Sequence, residues 1–215
     1  CMAWVHDEIG RSVGLPREVG GIPLDELGAT GWGLAAAAEV AAPALGLSLA
    51  GARVAVQGFG AVGQHAARFL AARGAVLVAA ADSSATLVDP HGLGIDALLA
   101  FKRGGGRFAD SPVGERRDRD AVIDVDCEIW IPAARPDTLT VDNVSGLQAK
   151  LVIQGANIPA TEPAERWMHA HRILSVPDFI DTCTIPPPPC PNSAVYELVC
   201  TLNSSIASID GVNTV

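Results

Sequence analysis

Lysine is almost missing from this 215-residue chain, occurring only at positions 102 and 150. A phosphate-binding P-loop needs a lysine at a fixed spacing behind its glycines. Neither Lys102 nor Lys150 has that spacing, so this class of nucleotide site is set aside. Basic residues as a group are outnumbered, 15 against 24 acidic, for a net charge of −9. Such a surface repels both a phosphate backbone and an anionic lipid face, so neither a nucleic-acid nor a membrane partner is expected. Aromatic residues are 5 % of the chain, and Trp4, Trp32, Trp130 and Trp167 read as packing residues, not as a stacking series. The five cysteines, Cys1, Cys127, Cys183, Cys190 and Cys200, are odd in number, scattered and free of CxxC pairs. A disulfide framework and a zinc site are therefore not expected, and reduced thiols are. No apolar run reads as a membrane span, since the Ala-rich stretch from Leu34 to Ala52 holds Glu39 and Pro43. The first residues lack a basic region followed by an apolar one, so no secretory signal is read and a cytoplasmic location is expected. A first residue that is Cys in place of Met reads as a fragment.

Apolar residues are plentiful at 49 %, with 18 % charged, enough to build a buried core. Met2 to Arg11 reads as a short helix, followed by a Gly/Pro-rich connection from Gly14 to Gly28. Ala29 then leads into an Ala-rich helix ending near Gly46, which Pro43 should kink or shorten. Arg53–Gln57 reads as a buried strand. Ala61–Arg73 reads as a helix with Val62, Ala66, Phe69 and Leu70 on its inner face and Gly74 as its stop. Further strands are expected at 75–81, 127–131, 150–154 and 173–176, with a helix over 96–103. Strands alternating with helices imply an α/β fold: a doubly wound, mostly parallel sheet covered on both faces. Residues 1–180 read as one such domain. Residues 181–215, which carry the run Pro186–Pro189, read as a divergent tail.

The sharpest motif is Gly58-Phe59-Gly60-Ala61-Val62-Gly63. A lone GxGxxG is weak, but this one directly follows an apolar strand and directly precedes an amphipathic helix. Gly58 allows the tight turn, Gly60 lets the backbone approach a pyrophosphate, and Gly63 lets the helix pack close to the strand. The helix N-terminus adds free N–H groups and a positive dipole end. Asp82 ends the next strand about twenty residues on, where a carboxylate can accept ribose hydroxyls and repel a 2′-phosphate. No cation follows in sequence until Lys102, which favours NAD, with NADP possible through Ser83 and Ser84. Asp82 as a plain turn-former stays open as the alternative.

Several further motifs resemble one family. The run Gly14–Gly33, the Gln57-Gly58-Phe59-Gly60-x-Val62-Gly63 turn and Ala81-Asp82-Ser83-Ser84 are similar to the nucleotide-binding domain of glutamate dehydrogenases. So are Cys127-Glu128-Ile129-Trp130-Ile131-Pro132-Ala133-Ala134, Gln154-Gly155-Ala156-Asn157-Ile158-Pro159-Ala160-Thr161 and Val176-Pro177-Asp178. The resemblance runs from residue 1 to about 180. It implies a Rossmann-like domain and NAD(P)-dependent oxidative deamination of an amino acid, foremost L-glutamate to 2-oxoglutarate and ammonia. The implied cofactor contacts are Thr30, Gly58, Phe59, Gly60, Ala61, Val62, Gly63, Asp82, Ala133 and Asn157. Thr30 alternatively reads as a helix N-cap and Asn157 as a turn residue before Pro159.

The departures bear on activity. The family's catalytic lysine and aspartate belong to a preceding substrate domain, and neither Lys102 nor Lys150 stands in a matching motif. Ala61 replaces a frequent Asn. After Ile180 the family's A-N-A-G-G-V gives way to Asp181-Thr182-Cys183-Thr184. No catalytic residue and no metal ligand is assigned. The acidic set Asp118, Asp120, Asp124 and Asp126 lacks a calcium-loop pattern, and His169 and His171 lie on different helix faces. The expectation is the nucleotide-binding part of a dehydrogenase, inactive without its substrate domain, which would also supply the amino-acid site. The alternative is a stand-alone dinucleotide-binding module. Members of the family form homo-oligomers, so the same is open here.

Overall fold

A computed structural model describes residues 2–10, 15, 18, 20–21 and 24–181. The tail expected beyond residue 181, part of the 14–28 connection, and Cys1, Cys183, Cys190 and Cys200 lie outside the described residues. Two helices come first, α1 (Met2–Ile9) and α2 (Leu24–Leu27), then α3 (Ala29–Ala44). Pro43 sits in the last turn of α3. Lacking an N–H, it forfeits one hydrogen bond, and the helix stops one residue later.

The rest is a wound sheet. β1 (Arg53–Gln57), α4 (Ala61–Ala71) and β2 (Val76–Ala81) form the first β-α-β unit. β3 (Thr86–Val88), α5 (Ile95–Arg103) and β4 (Glu115–Arg117) follow, then β5 (Ile129–Pro132), β6 (Leu151–Ile153), α6 (Glu162–Ala170), β7 (Leu174–Val176) and α7 (Asp178–Asp181). The sheet order is β4-β3-β2-β1-β5-β6-β7. β2, β1, β5, β6 and β7 are parallel, whereas β3 pairs antiparallel with both β2 and β4. The antiparallel edge escapes sequence reading for a physical reason. β3 is a short strand set between two turn-forming stretches, Asp82-Ser83-Ser84 and Asp89-Pro90, and β4 is the charged, fully exposed run Glu115-Arg116-Arg117, suited to blunting a sheet edge.

Both faces are covered. Val54, Val56, Leu77 and Ala80 pack with α3 and α4 in one apolar layer. Ala55, Val78, Ala79 and Trp130 pack with Val122, Leu139 and Met168 in the other. Central strands therefore read as continuous apolar runs. The inner face of α4 differs slightly from expectation: Gly63, Ala66, Ala67 and Leu70 are buried, while Val62 and Phe69 are only partly so. Small residues occupy the line of closest approach to the sheet. Among the tryptophans, Trp130 is fully buried, but Trp4 is 75 % exposed and is no packing residue among the described contacts.

Between β1 and β5 the order in which strands are added to the sheet reverses. The chain builds outward through β2, β3 and β4, then returns to lay β5 on the other side of β1. A crevice at the carboxyl ends of such strands is where open α/β sheets bind ligands.

Candidate functional site

Four loops meet at this reversal. The first leaves β1 at Gly58, whose φ of 93° lies in the left-handed region that glycine favours. A Cβ there would stand 2.7 Å from backbone atoms of Ala134, in the loop leaving β5. The N–H groups of Gly58 and Phe59 donate to the Ala81 carbonyl at 2.9 and 2.8 Å, tying the turn to the end of β2. Ala133 N–H donates to the Gln57 carbonyl at 2.7 Å. Gly155 and Ala156 N–H donate to the Pro132 carbonyl at 3.0 and 2.9 Å, which ties in the loop leaving β6.

The fingerprint divides into packing and ligand-facing members. A Cβ on Gly63 would overlap the Gly58 carbonyl oxygen, so this glycine seats α4 on the turn. A Cβ on Gly60 would meet nothing within 4 Å. Gly60 precedes the first helical residue, and no side chain caps the helix. The first N–H groups of α4 thus have no side-chain cap, and they carry the positive end of the helix dipole. Phe59 faces the other way: its side chain is buried and its ring sits 5.4 Å from that of Phe108, leaving only its backbone for a ligand.

Thr30 is brought to the fingerprint. Helix α3 starts one residue earlier, at Ala29, with Gly28 as N-cap, so Thr30 is not the cap that one reading allowed. Thr30, Ala61, Val62 and His65 line a shallow crevice between the N-termini of α3 and α4. Ala133 is half-buried beside Gly58. Asn157 stands exposed in the loop leaving β6. Its neighbour Ile158 has φ 46°, an uncommon conformation for a β-branched residue. That conformation is held from both sides: Ile158 N–H donates to Asp178 Oδ2 at 3.0 Å, and its carbonyl accepts from Asp137 N–H at 3.0 Å.

Asp82 departs most from expectation. Its side chain is 8 % exposed. Oδ1 accepts from Ser84 N–H (2.8 Å), Ser84 Oγ (2.6 Å) and Ala85 N–H (3.2 Å). Oδ2 accepts from Lys102 Nζ (2.8 Å) and Phe108 N–H (3.0 Å). Burial opposes its ionisation, but the bonds from Lys102, Ser84 and Phe108 prevail and hold the carboxyl well below the usual carboxylate range. The expectation that no cation serves this strand end is therefore corrected: twenty residues of sequence separate Lys102 from Asp82, yet α5 folds its ammonium onto the carboxylate. Lys150 is exposed and precedes β6, at the strand end opposite the crevice.

Gln57 is a polar group that sequence reasoning did not single out as a contact. It is 8 % exposed, its Oε1 has no partner among the described residues, and it lines a cavity of about 450 Å³ together with Ile123, Asp124, Arg135 and Thr138. The signal available was a polar residue closing an otherwise apolar strand. Of the acidic set, Asp120 pairs with Arg119 and Asp126 with Arg53. Among the described residues no three His, Cys, Asp or Glu side chains are placed to hold a metal ion. No described helix is long and apolar enough to cross a membrane.

The glycine-rich turn, the uncapped helix and the strand reversal together define a Rossmann-type dinucleotide-binding domain. The chain belongs to the Glutamate/Leucine/Phenylalanine/Valine dehydrogenase family, which matches residues 20–182. It is 35 % identical over 188 residues to a glutamate dehydrogenase of Aeropyrum pernix, covering 83 % of this chain and 45 % of that protein. It is 31 % identical over 188 residues to an NADP-specific glutamate dehydrogenase of Saccharolobus shibatae, covering 83 % of this chain and 44 % of that protein. In structure it resembles the hetero-hexameric glutamate dehydrogenase of Thermus thermophilus, with a TM-score of 0.72 and 28 % identity over 95 % of this chain and 49 % of that one. The chain thus spans about half the length of the relatives it matches.

Proposed function

We propose that this chain is the nucleotide-binding part of an NAD(P)-dependent glutamate dehydrogenase, inactive by itself because the substrate half is not among its residues. The observation that carries this reading is the open face of Gly60 at the N-terminus of α4, set at the strand reversal between β1 and β5. In this reading the backbone of Gly58 to Gly63 binds the pyrophosphate, with α4 supplying N–H donors. Thr30, Ala133 and Asn157 line the path toward the nicotinamide half. A bound nicotinamide would supply the hydride acceptor for oxidation at the α-carbon of the amino acid.

Relatives named for NAD and for NADP both occur, which supports either dinucleotide here. Deamination also needs a general base and a group to polarise the carbon. Lys102 is occupied by Asp82 and Lys150 lies away from the crevice, so those roles fall to the substrate half. Oligomeric assembly and a cytoplasmic location belong to this reading of the longer protein.

A stand-alone dinucleotide-binding module is the second reading, favoured by those same lysine positions. Calorimetric titration of the 215-residue chain with each dinucleotide tests the binding claim, and a glutamate-dependent absorbance assay for reduced cofactor tests the rest. Saturable binding without turnover is expected. Turnover by the chain alone would refute its inactivity, and binding of neither dinucleotide would refute the function.

A further inference from the structure

The end of β2 is where a dinucleotide site of this kind meets the adenosine ribose, and there the side chains are arranged differently from what the carboxylate of Asp82 suggests in sequence. A carboxylate offers about four lone-pair sites. Asp82 already accepts five hydrogen bonds from within the chain and is nearly sealed from solvent. A ribose hydroxyl could bond to it only by displacing one of them. Its charge is also matched: Lys102 Nζ lies 2.8 Å from Oδ2 and 5.1 Å from the centre of the Phe108 ring, itself fully buried. Ser84 Oγ is engaged as well, donating to Asp82 and accepting from Ala109 N–H at 3.0 Å. The exposed side chain at this turn is Ser83.

We infer that Lys102 sets the dinucleotide preference of this chain: by neutralising Asp82 it leaves the end of β2 without the free negative charge that would expel a 2′-phosphate, and ribose contact passes to the Ser83 hydroxyl. Asp82 is then the hub of the turn and a positioning residue. The chain accepts NADP as well as NAD. This inference rests on the dinucleotide reading above.

The test is calorimetric affinity of the full chain for NAD and NADP, with thermal unfolding alongside. The parent chain should bind the two within about tenfold of each other, since no unpaired carboxylate faces the phosphate. Asp82→Asn should lower the unfolding temperature, leave NAD affinity unchanged and strengthen NADP about tenfold, because the Lys102 ammonium is then unpaired. Lys102→Met uncovers the Asp82 charge and should weaken NADP about tenfold more than NAD. Adding Asp82→Asn to Lys102→Met makes the pair neutral again and should restore the parent ratio. Ser83→Ala, at an exposed position, should weaken both dinucleotides without lowering the unfolding temperature. A parent chain that binds NAD and excludes NADP would overturn this inference alone. So would an Asp82→Asn variant that loses NAD affinity, because Asp82 would then be the ribose ligand. Binding of neither dinucleotide by the parent overturns the dinucleotide reading and this inference with it.

Discussion

Gly60 and Gly63 lie three residues apart in one motif but do different work. Adding a methyl at Gly60 fills open space at a φ of −84°, which any residue adopts. Gly60→Ala should therefore leave the unfolding temperature within about 2 °C of the parent while costing about tenfold or more in dinucleotide affinity, through loss of close backbone approach. Gly63→Ala drives a methyl into the Gly58 carbonyl and should cost about 1–3 kcal/mol of stability, read by denaturant unfolding. Equal destabilisation by both would mean that Gly60 is merely a packing glycine. Glu165 is a second residue with a separable effect. Burial pushes its carboxyl above the ordinary carboxylate range, against the opposing bonds from Ser175 Oγ and Gln154 Nε2. An acid with a raised folded-state pKa stabilises fully below its unfolded value and loses that contribution as pH rises toward the folded one. Glu165→Gln should thus raise the unfolding temperature by about 2–4 °C at pH 7, and by less at pH 4. An equal gain at both pH values would refute the assignment.

Among elements, β5 shows how burial governs chemistry. Cys127 lies just before it, buried and without a disulfide among the described residues. Burial pushes its thiol up to about 12, with the nearby Glu128 carboxylate adding to the shift. At pH 8 only about one molecule in ten thousand would carry the thiolate, so Cys127 should resist alkylation in the folded chain and react in urea. Peptide mapping by mass spectrometry checks this, and labelling of Cys127 without denaturant would contradict it. Elements also differ in how readily sequence reveals them. β1 and α4 were legible because an apolar run, three glycines and a helical period adjoin one another. β3 and β4 were not, because β3 sits between two turn-forming stretches and β4 is a charged edge without an apolar signal. The start of α3 at Ala29 was legible, but one of the two readings of Thr30 failed. The helix N-cap is Gly28 in the left-handed conformation, not a hydroxyl-bearing Thr30.

For the molecule as a whole, charge follows the sheet. Arg53, at the start of β1, binds both Glu128 and Asp126 at the start of β5, at the edge opposite the crevice. Hydrogen bonds from Arg53 hold both carboxyls below their ordinary range, as Lys102 helps do for Asp82. Carboxylates with lowered folded-state values stabilise the fold above their unfolded values and lose that contribution as pH falls. Thermal stability should therefore drop below about pH 4, and Asp82→Asn should flatten that drop, as a series of melts from pH 3 to 8 would show. A parent curve with no acid decline would refute it. The family, the strand–glycine–helix turn and the covered sheet were all readable along the chain, because each rests on neighbouring residues whose apolar period and backbone freedom act locally. The state of Asp82, the close backbone approach at Gly58, the Gln57 oxygen without a partner among the described residues and the strained support behind Asn157 were not. Each depends on groups from distant segments, such as Lys102, Ala134, Ile123 and Asp178, which meet only when the sheet has wound and its loops have converged at one edge.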